Sequence, residues 1–161
     1  MKTKKPQIPE GAPEGTVWFG GPIEWFSIAL RIVGDDLVPD EITQLLKCRP
    51  DDATEKGKPI YRPDGAIMRI ARGGAWSLDL KPEDTDEWDC GEAMLELLAR
   101  LPSDIDVWKS LSARFKIDFF VGLTLRSTNN GFSLSPGVMR SLADRGIEAG
   151  FDICYDPVSE D

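Results

Sequence analysis

The chain predicts an α+β fold, a single mostly antiparallel sheet with helices packed on one face. Three observations lead there. Several segments alternate apolar and polar residues over eight or nine positions, as half-buried strands do. Others repeat apolar residues three and four apart behind a proline or an acidic residue, as amphipathic helices do. The order β, α, β, β, α, (α), β, α, β then suits helices segregated to one side of one sheet, loosely ferredoxin-like in its first part. At 161 residues there is enough chain for one well-buried core, and a division in two would leave each half marginal.

Residues 1–16 mix lysine, proline and glycine without periodicity, so a flexible tail is expected, with one domain over 17–156 and a frayed end at 157–161. Val17-Trp18-Phe19 before Gly20-Gly21-Pro22 fits either a short strand or a packed loop. Between Trp25 and Val33, Phe26, Ile28, Leu30 and Ile32 share one strand face, and Ser27, Ala29 and Arg31 the other. Gly34-Asp35-Asp36 breaks that strand; Pro39 suits a first helical turn, and Val38, Ile42, Leu45 and Leu46 recur at helical spacing. Residues 47–65 are rich in proline, glycine and charge and read as a long loop. Ile67–Arg72 and Ala75–Leu80 read as the strands of a hairpin, with Gly73-Gly74 supplying the positive φ of a tight turn. Its register stays open, because Trp76, Leu78 and Leu80 could face either Ile67 and Arg69 or Met68 and Ile70.

Asp84 with Glu87 resembles a capping pair for a helix through Trp88, Gly91, Leu95 and Leu98 that Pro102 stops. Ser103 can cap a further short helix carrying Ile105, Trp108, Leu111 and Phe115. From Ile117 to Leu125 alternation is unbroken, the clearest strand in the chain. Thr128-Asn129-Asn130-Gly131 is turn chemistry, and Ser135-Pro136 starts a helix with Val138, Met139 and Leu142 that ends at Gly146. Ile147, Ala149, Phe151, Ile153 and Tyr155 alternate through a last strand. The spacing of Leu37-Val38-Pro39 to Ile42 and Leu45 equals that of Leu134-Ser135-Pro136 to Met139 and Leu142, so an internal β-loop-α duplication is conceivable beside generic helix-start chemistry.

Composition excludes more than it names. With 41% hydrophobic and 29% charged residues, the chain is neither collagen-like, coiled-coil nor wholly disordered, and no apolar run is long enough to span a membrane. Histidine is absent, which removes Ser-His-Asp and Cys-His nucleophiles and the commonest zinc ligands. The formal charge is −9; Lys2, Lys4 and Lys5 sit in the tail, so the remainder is more acidic still. Such a body repels phosphate backbones, so no nucleic-acid partner is expected, whereas a basic protein would be steered toward it. Cys48, Cys90 and Cys154 are widely spaced and odd in number, and the lysine-rich start leads into prolines without an apolar leader, so a reduced cytoplasm is expected.

Three groups of residues are candidate sites. Residues 79–96 hold eight carboxylates against one lysine. That surplus exceeds helix capping and makes Asp84, Asp86, Glu87, Asp89 and Glu92 candidates for partner binding, with Arg31 and Arg126 on the uncovered sheet face. Residues 47–72 are locally basic, seven Lys and Arg against four acids, and Lys56, Arg72 and Trp76 could take a phosphate or carboxylate ligand, although no phosphate-binding glycine loop is present. Asp35 and Asp36 with Asp152 or Asp156 are a weak set for Mg²⁺ or Ca²⁺, against the alternative that aspartates cap turns. No cofactor is expected, and oligomeric state is left open. The leading expectation is a non-enzymatic binding protein with an acidic surface, an immunity or regulatory factor. A carboxylate- and metal-dependent enzyme and a small-ligand sensor are the competing classes.

Phe26 to Gly34, Pro39 to Leu46, Lys56-Gly57, Gly74 to Leu78, and Gly131-Phe132-Ser133-Leu134-Ser135-Pro136 through Phe151-Asp152-Ile153 resemble the domain of unknown function 4279 family over roughly residues 25 to 155. The resemblance implies a small intracellular bacterial α+β domain and carries no catalytic signature.

Overall fold

The computed structural model describes residues 25–80, 89–125 and 131–155, with Glu14 and Ile23 besides. The elements are β1 (Trp25–Gly34), α1 (Pro39–Leu46), β2 (Asp52–Thr54), β3 (Pro59–Tyr61), β4 (Ile67–Ile70), β5 (Gly74–Leu80), α2 (Cys90–Ala99), α3 (Ile105–Ser112), β6 (Lys116–Leu125), α4 (Pro136–Ala143) and β7 (Glu148–Tyr155). Five strands form the main sheet in the order β2-β5-β1-β6-β7, and β3 and β4 form a separate two-stranded ribbon. All pairings are antiparallel except β6 with β7. That one is parallel because α4 supplies the crossover such a pair needs.

Alternation in β1 sets the layers. Ile32 stands opposite Trp76 and Ile117, Leu30 opposite Leu78 and Phe119, and Ile28 opposite Leu80 and Val121. These rows share one face and, Leu80 apart, are fully buried. Ile42 and Leu46 of α1, Met94 and Leu97 of α2, Trp108 and Leu111 of α3, and Val138 and Leu142 of α4 join them in one apolar core. The helices therefore cover one face, as the alternation requires. The opposite face carries Ser27, Ala29 and Arg31 beside Gly122, Phe120 and Asp118.

The segment between α1 and β1's partner β5 departs from the sequence reading. Residues 47–65 are not one long loop but contain β2 and β3. Nor do β4 and β5 form a hairpin: β4 pairs with β3, while β5 pairs with β1 and β2. Gly73-Gly74 supplies no turn, and neither residue has positive φ. Gly74 instead lies opposite Gly34 with its backbone against the Leu37 carbonyl oxygen, where any Cβ would collide. The positive φ values fall at Gly57 and Gly65 within the excursion and at Gly146.

Two helix caps also differ. Asp84 and Glu87 lie outside the described residues, and α2 is capped by Asp89, whose carboxylate accepts from the Glu92 N–H at 2.8 Å. Asp104 rather than Ser103 caps α3, accepting from the Asp106 N–H at 3.0 Å. Ser135 caps α4 as its sequence implies, accepting from the Val138 N–H at 3.3 Å. The expected tail, the Val17-Trp18-Phe19 segment and the frayed end lie outside the described residues.

Candidate functional surface

Three surface features remain once the core is accounted for. On the uncovered face, register places Arg31 of β1 beside Asp118 of β6 and Asp118 beside Glu148 of β7. Arg31 Nε and Nη2 donate to Asp118 Oδ1 and Oδ2 at 2.8 and 3.0 Å, a two-pronged pair that fixes both groups. The guanidinium lies 4.4 Å from the centre of the Phe120 ring, and the hydrogen bonds to Asp118 raise its pKa further. Lys116 Nζ sits 3.6 Å from Asp118 and 3.4 Å from Glu148, extending the network across three strands. Arg31, a candidate for partner binding, is thus held by its own sheet, with its side chain still 40% exposed.

The second feature is a cleft of about 380 Å³ where the start of α1, β2 and the base of the ribbon meet, lined by Pro39, Asp52 to Glu55, and Lys58 to Tyr61. Glu55 pairs with Lys58 at 2.7 Å, and Glu55 chiefly, with help from Asp40, raises the lysine's pKa. Asp40 and Asp52 form no ion pair among the described residues. Carboxylates therefore outnumber cations around an opening whose lining includes Ile60 and Tyr61.

The third is the ribbon itself, an arm standing off the main sheet. Its tip, Arg62-Pro63-Asp64-Gly65, closes with the Gly65 N–H donating to the Arg62 oxygen at 2.9 Å and the Ala66 N–H donating to Asp64 Oδ1 at 2.9 Å. Gly65 has φ 83°, a conformation only glycine adopts without strain. Ile60 pairs with Arg69 but Tyr61 pairs with Ile67, so Met68 is an extra residue, a β-bulge. Tyr61, Ile67, Met68 and Ile70 are all 50% to 60% exposed. An isolated two-stranded ribbon is marginal in water, and here it leaves its large apolar side chains open to solvent.

The sequence candidates do not converge. Lys56 binds Asp35 at 3.1 Å on the surface, and Arg72 is exposed. Trp76 is fully buried on the core face, its indole N–H donating to Thr43 Oγ1 of α1 at 3.2 Å; it cannot join Lys56 and Arg72 around a ligand. Asp35 and Asp36 follow the end of β1, whereas Asp152 is paired with Gly122, itself opposite Ser27 at the other end of that strand. Eight residues of extended chain separate those levels by roughly 25 Å, and no cluster of three or more metal-ligating side chains occurs among the described residues. Of the acidic group, Asp89 and Glu92 meet at the start of α2 through the cap, and Glu92 is exposed; Asp84, Asp86, Glu87, Arg126 and Asp156 lie outside the described residues. The arm went unread as a unit because Ile60-Tyr61 sits in a stretch of proline, glycine and charge that reads as a loop. The run Ile67 to Ile70 reads as a strand, but with β5 as its partner; pairing with β3 instead leaves its apolar side chains exposed.

The cysteines are all free, Cys90 buried, Cys48 half-buried and Cys154 exposed. Cys90 occupies the first turn of α2, a place that often activates a thiol. Here burial, and secondarily the Asp89 charge, push it up to about 11, so it is a packed apolar group. No helix among the described residues is long and apolar enough to cross a membrane.

Comparison with curated proteins and with solved structures returns no match. A family model does match, over residues 24–156, from the start of β1 to just past the end of β7. That span takes in the whole sheet, the arm and the cleft, and by it the chain belongs to the family described as domain of unknown function DUF4279.

Proposed function

We propose that the chain is a binding protein that docks a basic protein partner, as an immunity or regulatory factor would. The observation that carries the reading is the carboxylate-rimmed cleft at the root of the arm. A lysine or arginine from a partner entering it would meet Asp52 and Glu55, while Pro39, Ile60 and Tyr61 receive its aliphatic stem. The net charge of −9 favours the encounter over long range and makes it sensitive to salt. Lys58 is the resident cation of the site, and a partner's cation would compete with it for Glu55.

The test is capture on immobilised protein, with bound proteins identified by mass spectrometry at low and high salt, in parallel with an Asp52→Lys/Glu55→Lys double variant. A basic protein retained by the wild type, released by salt and not retained by the variant is expected. Capture of acidic proteins alone, or capture indifferent to both substitutions, overturns the reading.

A further inference from the structure

The register of the arm continues that of the sheet. β2 pairs with β5 as far as Thr54 opposite Ala75, and β3 pairs with β4 from Pro59 opposite Ile70, so the intervals 55–58 and 71–74 are equal and the count is unbroken. Across that interval the Gly57 N–H donates to the Ala71 oxygen at 2.9 Å and the Ala71 N–H to the Lys58 oxygen at 2.8 Å, while the Lys58 N–H donates to the Glu55 oxygen at 3.0 Å and closes a turn. β2 and β3 are therefore successive stretches of one side of a long hairpin, interrupted at that turn and closed at Arg62 to Gly65. The other side of the hairpin, β4 and β5, is where both find their partner. Their outward side is an edge throughout, since β2 ends the five-stranded order and β3 has β4 alone as its neighbour. Pro59 agrees with this, because a proline has no N–H to give a second neighbour.

The cleft runs along this edge. Its lining takes consecutive residues, Asp52 to Glu55 and Lys58 to Tyr61, whereas an opening onto one face of a strand meets every second residue. Ala53 stands beside the fully buried Trp76 in the core layer and is nevertheless exposed, because among the described residues no strand lies beyond it. We infer that the segment the cleft takes from its partner is an extended strand, added along the β2–β3 edge through backbone hydrogen bonds. The inference rests on the docking of a basic protein proposed above and states the form of the docked segment. Register sets its side-chain order. Asp52 pairs with Ser77 and lies on the uncovered face, while Ala53 lies on the core face toward α1. The residue laid beside Asp52 is accordingly a lysine or arginine, and the next is an aliphatic one beside Ala53 and Pro39. A partner helix would satisfy the carboxylates and leave the edge's N–H and C=O groups unpaired; a strand satisfies both, and it turns the marginal two-stranded arm into a three-stranded one.

The probe is a peptide of alternating lysine and valine long enough to lie along both strands, compared by titration calorimetry with the same sequence N-methylated at every interior residue. The two carry the same charge and the same side chains, and only the first has backbone N–H groups to pair. The unmethylated peptide should bind the wild type about tenfold or more tightly than the methylated one, lose that binding in the Asp52→Lys/Glu55→Lys variant, and slow hydrogen exchange at the amides of Ala53, Thr54, Ile60 and Tyr61. Equal binding of the two peptides, or binding with exchange at those amides unchanged, overturns strand addition while the charged cleft stands. Failure of the unmethylated peptide to bind also overturns it, and the cleft is then judged by the capture of basic proteins alone. Binding indifferent to the double variant overturns the cleft and this inference together. A wild type that sediments as a dimer, with the same amides protected until it is diluted to monomer, overturns the inference in favour of a second copy's edge.

Discussion

Asp118 is the buried polar residue on which the uncovered face turns. Its carboxylate holds Arg31 with two hydrogen bonds and neighbours Lys116, and a charged group in that position is tolerated only because it is paired. Asp118→Ala is expected to lower unfolding free energy by about 1–2 kcal/mol, since Arg31 is solvated enough to recover part of the loss; urea denaturation measures it. Gly74 is constrained by space rather than by φ. Gly74→Ala forces a methyl onto the Leu37 carbonyl and should cost about 2–3 kcal/mol in the same assay. Cys90 makes a prediction about pH. Its folded pKa, about 11, lies above its ordinary value, so the protonated thiol's contribution is complete below the ordinary value and disappears as pH rises toward 11. The wild type should therefore lose more stability over that alkaline window than Cys90→Ala, and a maleimide should label Cys154 in the native protein while sparing Cys90.

At the scale of elements, legibility followed length and two-sidedness. β1, β6 and β7 run eight to ten residues and alternate apolar with mostly polar or small side chains, and a period of two survives in such strands without any knowledge of neighbours. α1 and α4 announced themselves through Pro39 and Pro136. β2 and β3 are three residues each, too short for a period, and their identity depends on β5 and β4 arriving from later in the chain. Gly73-Gly74 misled because a glycine pair signals either a turn or a close approach, and only the position of Leu37 decides between them. The candidate site was less visible than the fold, since the cleft gathers α1, β2 and β3 and no local motif marks that meeting. Between elements, Arg114 beyond α3 holds Glu41 of α1 through bonds of 2.6 and 3.2 Å, and the arginine's hydrogen bonds depress the Glu41 pKa. A depressed carboxylate stabilises the fold above its ordinary pKa and ceases to do so as pH falls through the folded value. Arg114→Leu should thus melt below wild type at neutral pH, with the two curves converging in acid.

Across the whole molecule, charge and topology divide the work. The helices and the buried sheet face enclose the core, the uncovered face is tied together by Arg31, Asp118, Lys116 and Glu148, and the arm and cleft gather at one edge. Overall acidity was legible from composition, whereas its interruption by a cationic, apolar arm required the ribbon to be seen standing apart from the sheet. The central pairing of β1 with β6 joins residues as far apart in sequence as Arg31 and Asp118, 87 positions. During translation β1 therefore waits for almost the entire polypeptide before its second neighbour exists, and Phe26, Ile28, Leu30 and Ile32 stay within reach of chaperones for that interval. Nascent chains arrested before residue 116 should remain protease-sensitive, and those released after residue 155 should become resistant in one cooperative step, detectable by pulse proteolysis of stalled ribosome complexes.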